Sequence, residues 1–344
     1  MSAQPLSLRF TGNGSEYFRI WIVNLLLSIV TLGIYSPWAK VRRNQYFYRH
    51  TLLADSGFDY HGDPKSILKG RVIAVLLFGS YSFFSRFDPT IAAVIFLAIL
   101  AVLPWLLVRS LRFRLHNTSY RGLRFGFHGQ TGPAYWYLLG APFLGGATLG
   151  LLWPWAQQRM TVYTRDHSSF GSARFKFEAT AGAFYKIYFW VFLLAVLMFA
   201  GAAAAMTLVL SSGTFPLEGQ NQAGVIGGAA AVLTYFGLVV IVYPFVSARM
   251  QNLVWGHTRL GAHRFTARAR ARDLLWIMIS NVLLIGLSLG LFKPFADIRL
   301  ARYRLESTAL LPGGSLADFV AGLQSQAGAA GEEIADIFDF DIAL

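Results

Sequence analysis

The stretch YSPWAKVRRNQYFYRHTLLADSGFDY, Tyr35–Tyr60, decides the fold, because its pattern returns four more times. An apolar run ends in Pro followed by Trp or Phe at Pro37-Trp38, Pro104-Trp105, Pro154-Trp155, Pro244-Phe245 and Pro294-Phe295. Five residues after each Pro stands an Arg: Arg42, Arg109, Arg159, Arg249 and Arg299. Fourteen residues after each Pro stands a hydroxyl: Thr51, Thr118, Ser168, Thr258 and Thr308. Twenty-one residues after the first four stand Phe58, Phe125, Phe175 and Phe265. Two positions further come Tyr60, Phe127 and Phe177, then Ala267, which breaks the series, and the fifth copy stops after Thr308. Register without gaps over five copies marks an internal repeat, and a repeat governs every later step of a fold assignment.

Each copy has a physical meaning. The Pro starts or kinks the last helical turns near the membrane surface. The following Trp or Phe suits the membrane–water interface. The Arg-bearing stretch, Lys40 to His50 in the first copy, reads as a short interfacial helix. The hydroxyl residue, with His50, Asn117, His167 or His257 before it, marks the exit from that helix. Alternation around the Phe then predicts two strands and a turn, Thr51–Leu53 with Phe58–Tyr60 and Ser119–Tyr120 with Arg124–Phe127. Leu6 to Thr11 resembles the second strand alone. The hairpins are expected to form one extramembrane sheet.

Around these copies the chain is apolar. Of 344 residues 55% are hydrophobic and 14% charged, against roughly 25% charged in soluble domains. Seven apolar segments run Ile20–Trp38, Val72–Ser85, Ile91–Val108, Pro133–Trp155, Ile187–Leu210, Ala223–Ala248 and Leu274–Phe292. Most reach the roughly 20 residues a spanning helix needs. From Phe10 to Pro37, Phe127 to Pro154 and Ala267 to Pro294 is 27 residues each time, and these short units hold one apolar segment. The two longer units between them hold two. The expected architecture is mainly α: a polytopic helical membrane protein built from tandem repeats, with small extramembrane β-hairpins on the cytoplasmic side. Modules cover about 10–126 and 127–264, a half module covers 265–311, and 1–311 form the transmembrane domain. Residues 312–344 form an acidic, flexible C-terminal tail.

Charge bears on topology. The chain has 30 Lys+Arg and 17 Asp+Glu, with six of the acids and no base after Pro312. Seven single spans would spread similar basic hairpins over both faces, against the retention of Lys and Arg in the cytoplasm. If the three short units are re-entrant, breaking at Thr31-Leu32-Gly33, Thr148-Leu149-Gly150 and Ser288-Leu289-Gly290, only Arg86 lies outside. The charge distribution favours this second topology, with four spans and both termini cytoplasmic. Re-entrant backbone must pack in protein or line a cavity.

The run from Phe10 to Gly70, with its YSPWAK and FxYHGxPxxILKG strings, resembles the YjgN-like family of bacterial inner-membrane proteins of unknown function. The likeness continues through the later Pro-Trp copies to the GEEIADIFDFDIAL ending. It implies a Gram-negative inner-membrane location and supplies no activity or catalytic residues. It also hints at a protein partner, a membrane-associated zinc metallopeptidase.

Candidate chemistry is sparse. The five repeated arginines, with Lys40, Arg43, Arg112 and Arg302 nearby, are candidates for binding an anionic ligand or lipid headgroup; snorkelling and topology are the plainer explanation. Asn24 and Asn281 stand thirteen residues before their Pro. An intramembrane amide bonds a neighbouring helix or lines a substrate path. Gly146/Gly150 and Gly286/Gly290 have the spacing of close helix packing. The matched histidines read as turn or cap residues. There are no cysteines, no HExxH, no nucleotide-binding glycine motif and no Ser-His-Asp set, so no metal, cofactor or catalysis is expected. The basic residues flank apolar segments, which argues against nucleic acid. In the tail, Ile334, Ile337, Phe338 and Asp341 recur at a spacing suited to docking on the basic layer or on a partner. Two functions emerge: binding or moving an anionic amphiphile without catalysis, and a scaffold that holds a partner protein.

Overall fold

A computed structural model describes residues 4–211 and 220–330. The N-terminal strands β1 (Leu6–Ser7) and β2 (Arg9–Phe10) precede a helical hairpin, α1 (Gly14–Val30) and α2 (Ser36–Arg49). Strands β3 (Thr51–Leu53) and β4 (Ser56–Tyr60) follow, then long helices α3 (Pro64–Phe87) and α4 (Pro89–His116). Next come β5 (Thr118–Tyr120) and β6 (Leu123–Phe127), and a second short unit. That unit is α5 (Thr131–Ala134), a π-helical turn over Tyr135–Gly140, α6 (Ala141–Ala147) and α7 (Trp153–Asp166). The pattern returns with β7 (Ser168–Phe170), β8 (Ala173–Phe177), α8 (Ala181–Ser211) and α9 (Gln220–Gly256). The chain ends with β9 (Thr258–Leu260), β10 (His263–Ala267), α10 (Ala271–Leu287), α11 (Lys293–Glu306), β11 (Thr308–Leu311) and α12 (Leu316–Ala330).

All the strands join one antiparallel sheet in chain order. Each hairpin pairs with the next, as in Phe58 opposite Tyr120 and Phe125 opposite Phe170. The N-terminal run does two jobs. Leu6 and Ser7 pair with Leu310 and Ala309 of the last strand, while Arg9 and Phe10 pair with Leu52 and Thr51. Since only Leu8 separates these halves, the sheet returns on itself and has no free edge, which removes a site for aggregation. Tight turns make this possible. Ala54, Asp55 and Arg121 take positive φ beside Gly122, the geometry that two-residue hairpins require.

The helices come in two lengths. The helices α3, α4, α8 and α9 are long and apolar enough to cross a membrane, and the share of buried residues in their apolar windows runs from 0 to 22%. Apolar surface that the protein itself does not cover calls for lipid. In the short units the chain turns back at the Leu-Gly pairs. Leu32, Leu149 and Leu289 take φ of 49°, 52° and 50°, and the following Gly33, Gly150 and Gly290 take about 90°. The backbone of each turn is satisfied locally. Thr31, Thr148 and Ser288 hydroxyls accept from the N–H of Tyr35, Leu152 and Phe292 at 3.0, 3.1 and 2.8 Å. The Gly N–H groups return to Ser28, Gly145 and Ile285 carbonyls, the long backward bond of a glycine helix cap. Gly146, Gly150, Gly286 and Gly290 have open space where a Cβ would stand. The expected close packing is therefore absent, and Gly150 and Gly290 serve the reversal.

The prolines behave in two ways. Pro37, Pro154 and Pro294 open α2, α7 and α11, whereas Pro104 and Pro244 lie inside α4 and α9. In the long units the Arg-bearing stretch is thus the end of a spanning helix. At all five exits the hydroxyl donates to the carbonyl four residues back, from Thr51 to Phe47 through Thr308 to Arg304. His50, His167 and His257 place Nδ1 on a carbonyl of the preceding turn, at 2.7, 2.8 and 2.9 Å. These are cap roles.

Part of the tail expected to be flexible, 312–344, is helical. Residues 316–330 form α12, because Leu316, Phe319, Val320 and Leu323 recur at helical spacing and reach the sheet. Val320 and Leu323 are buried in the central core with Leu53, Tyr120, Phe170, Leu260 and Leu310. Five smaller clusters lie where helices meet the sheet, for example Val108, Phe127, Ala134 and Tyr163.

Candidate functional site

The sheet curves around a half-open cavity of about 590 Å³, within the ordinary range for small-molecule pockets. Its wall follows from the register. Leu53, Tyr120, Phe170, Leu260 and Leu310 alternate with Leu8, Phe58, Phe125, Phe175 and Phe265 around the ring. Tilted rings meet across the strand pairs, Phe58 with Tyr120 at 4.7 Å and Phe125 with Phe170 at 5.0 Å. Leu8 stands where the fifth copy lacks its own Phe.

The two ends of the cavity differ. At the hairpin-turn end, Leu316 and Phe319 of α12 close it, with His263 beside them. The His263 ring meets Phe319 edge-on at 4.4 Å, and its Nδ1 accepts from the Gly313 N–H at 3.2 Å. Burial pushes the His263 imidazole below its ordinary value.

At the helix end stand Arg114, Arg165 and Arg304, on the last turns of α4, α7 and α11. The Arg165 guanidinium lies over Trp255 at 4.6 Å. Burial and then the neighbouring Arg114 push it down from its ordinary range. A guanidinium keeps its proton in proteins, so the unfavourable charge persists. Lys40 is pushed down the same way, by burial and then by Arg71 and Arg114. Arg304 donates from Nη2 to Ser247 Oγ at 2.9 Å, while its buried Nε has no partner. Among the described residues, none of these three arginines forms an ion pair with a carboxylate. An apolar chamber with uncompensated positive charge at one end suits an anion that carries an apolar chain.

The arginines singled out in the sequence lie elsewhere. Arg109, Arg159 and Arg249 sit over Trp105, Trp155 and Phe245, one helical turn back, at 5.4, 5.8 and 5.4 Å. Arg42 lies over Tyr35 at 5.9 Å. Arg299 donates to Asn281 Oδ1 at 2.7 Å and to Ser280 at 3.0 Å. Arg43 faces Asp297 at 3.6 Å, Arg112 reaches the Gly129 carbonyl, and Arg302 reaches the Gly12 carbonyl. None of these lines the cavity. Asn281 also donates to the Ala296 carbonyl at 3.3 Å, so it joins α10 to α11, while the buried Asn24 leaves Oδ1 without a partner. Trp38 stacks on Tyr35, and Phe295 packs against Phe18 of α1. The tail positions Ile334, Ile337, Phe338 and Asp341 lie outside the described residues. The sequence pattern did carry a signal for the cavity arginines: all stand ten or eleven residues after their Pro, one turn before the hydroxyl.

A second space of about 500 Å³ lies between α9 and α11. Leu8, Trp255, Arg304 and Leu305 line both spaces.

Comparison with known proteins gives a family without an activity. Residues 5–337 match a family described as bacterial protein of unknown function (DUF898). The chain is 24% identical to "Inner membrane protein YjgN" of Salmonella typhimurium, over 88% of this chain and 87% of that one. It is 25% identical to the protein of the same name from Escherichia coli O157:H7, over 90% of each. With the protein of that name from Escherichia coli strain K12 it shares 31% over 44% of this chain and 38% of that one. No solved structure matches it. Since the match runs over nearly the whole chain, the protein belongs to the DUF898 family of bacterial proteins of unknown function.

Proposed function

We propose that this is a multi-pass inner-membrane protein that binds an anionic amphiphile, such as a lipid, without catalysis. The carrying observation is the half-open apolar chamber with Arg114, Arg165 and Arg304 at its helix end and, among the described residues, no carboxylate paired to them. The headgroup rests at the arginines and one apolar chain lies in the chamber. The named relatives support the inner-membrane location.

The topology belongs to the same proposal. The chain is a tandem array in which α3, α4, α8 and α9 span, and the three short units dip into the bilayer and return. Both termini and the whole sheet face the cytoplasm. The single sheet supports this, because hairpins bonded to one another share one side. The tip leucines support it too: Leu32, Leu149 and Leu289 are at least 94% exposed at turns whose polar backbone is already satisfied.

The test is the lipid retained by the full chain after extraction in mild detergent, identified by mass spectrometry. The wild-type protein should carry an anionic amphiphile, and neutralising Arg114, Arg165 and Arg304 to Gln should release most of it. Equal retention, or none in either protein, would contradict the proposal. The rival function, a scaffold for a partner protein, draws on α12, whose docking starts the tail from the turn end of the sheet. Co-purification of a protein lost on deletion of 331–344, with no lipid retained, would favour it.

A further inference from the structure

We propose that the ligand reaches the chamber sideways from the bilayer, along the groove between α9 and α11, and that Arg304 receives its headgroup. This rests on the chamber reading above. The groove wall is one face of α9: Tyr243, Ser247, Gln251 and Val254 recur every three or four residues. From Tyr243 to Val254 this face is about 16 Å long at the helical rise of 1.5 Å per residue. One end lies at Tyr243, just before Pro244, on an exposed part of an apolar, membrane-length helix. The other end lies at Thr308 and Leu8, where the sheet begins. The groove thus runs from the exposed apolar surface of α9 to the wall it shares with the chamber, at Leu8, Trp255, Arg304 and Leu305.

Arg304 stands where the two spaces meet, and it is the cavity arginine that lines both. One face of α9 holds it in place at both its side chain and its backbone. Ser247 accepts from Nη2, and Gln251 donates to the Arg304 carbonyl at 2.7 Å and to Thr308 Oγ1 at 3.2 Å. The buried Nε keeps one donor unused. A buried guanidinium donor without an acceptor is costly, and a carboxylate or phosphate oxygen supplies the missing partner. Beyond it, Trp255 and Leu305 lead into the apolar chamber. The ligand class that fits is an amphiphile with a compact anionic head and one apolar chain inserted head-last. The polar rim of Ser247, Gln251 and Thr308 lets the head travel the groove, and the chamber wall accepts only the chain.

The test uses the full chain in phosphatidylcholine nanodiscs and 11-(dansylamino)undecanoate as the anionic single-chain probe, followed by stopped-flow fluorescence. Val246→Trp, at a groove-lining position apart from the Ser247–Arg304 hydrogen bond, fills the groove, and Met250→Phe, at another lining position, narrows it more gently should the first variant fail to fold. Leu310→Trp fills the chamber. A side route predicts that either groove variant slows association about tenfold with nearly the same final signal. Arg304→Gln should weaken binding about tenfold, and Leu310→Trp should abolish the signal. Unchanged association in folded groove variants, with the signal still lost in Leu310→Trp, would overturn the side route and leave the chamber standing. No saturable binding, or binding indifferent to Leu310→Trp, would overturn the chamber and the route together.

Discussion

Thr51, Thr118, Ser168, Thr258 and Thr308 each end a helix by donating to the carbonyl four residues back. Such a bond satisfies one of the last carbonyls of the helix while the residue itself starts a strand. Thr258 is fully buried and bonds the Val254 carbonyl at 2.6 Å. Thr258→Val keeps the shape and removes the bond, so it should destabilise the sheet by about 1 kcal/mol, read as a lower melting temperature in detergent. His263 makes a pH-dependent contribution. Burial lowers its pKa in the folded chain, so the unfolded chain binds the proton more readily. The stability it supports is complete above its ordinary value of 6.5 and declines as pH falls below that value toward the folded one. Hydrogen exchange should therefore show α12 amides losing protection between neutral and acid pH, with a flatter profile in His263→Gln. The repeated arginines were legible as residues but not as contacts. Their place five positions after Pro puts them one turn from the aromatic at the first position, and that spacing serves cation–π packing as readily as ligand binding.

At the scale of elements, hydrophobic patterning and the breaks at Leu-Gly were enough to find the short units. A segment of 27 residues between sheet and Pro is long enough to span once, so length alone left two topologies open. The backbone at Leu32, Leu149 and Leu289, where positive φ reverses the chain, supports the re-entrant topology proposed above. If these tips lie in the bilayer, Leu149→Asp sets a charge in hydrocarbon, at a cost of about 2.5–3.5 kcal/mol. The carbonate-resistant membrane fraction of this variant should fall, whereas Leu149→Ala should match the wild type. A tip exposed to water would make both variants alike. Helix α12 was not legible. Its Gly, Ala, Ser and Gln content reads as a linker, and four apolar residues become a helical stripe only when the sheet's turn end is there to receive them. The cavity arginines were hidden for a related reason. They occur in three copies out of five, so no repeated letter marks them, and only closure of the ring gathers them at one mouth.

For the whole molecule, both halves of the closure were present in the sequence. Leu6 to Thr11 looked like a second strand without a first, and the fifth copy stopped after Thr308 without the Phe of a second strand. Joining them is a contact over 300 residues apart, which local periodicity does not reveal, but the register does: Leu6 faces Leu310 and Ser7 faces Ala309. Closure makes the chamber, and the chamber carries the proposed function. The chain has no cysteine, so closure can be read from cysteine pairs placed at 6/310 and at 7/309 and oxidised in membranes. Opposed residues on antiparallel strands alternate between hydrogen-bonded and closer non-hydrogen-bonded pairs, so one of the two pairs suits a disulfide. A closed sheet predicts an intramolecular crosslink in at least one pair, as efficient as one between positions 9 and 52 or 10 and 51 on the other side of the N-terminal run. Crosslinking at those control positions, with none at 6/310 or 7/309, would show an open sheet and contradict the chamber.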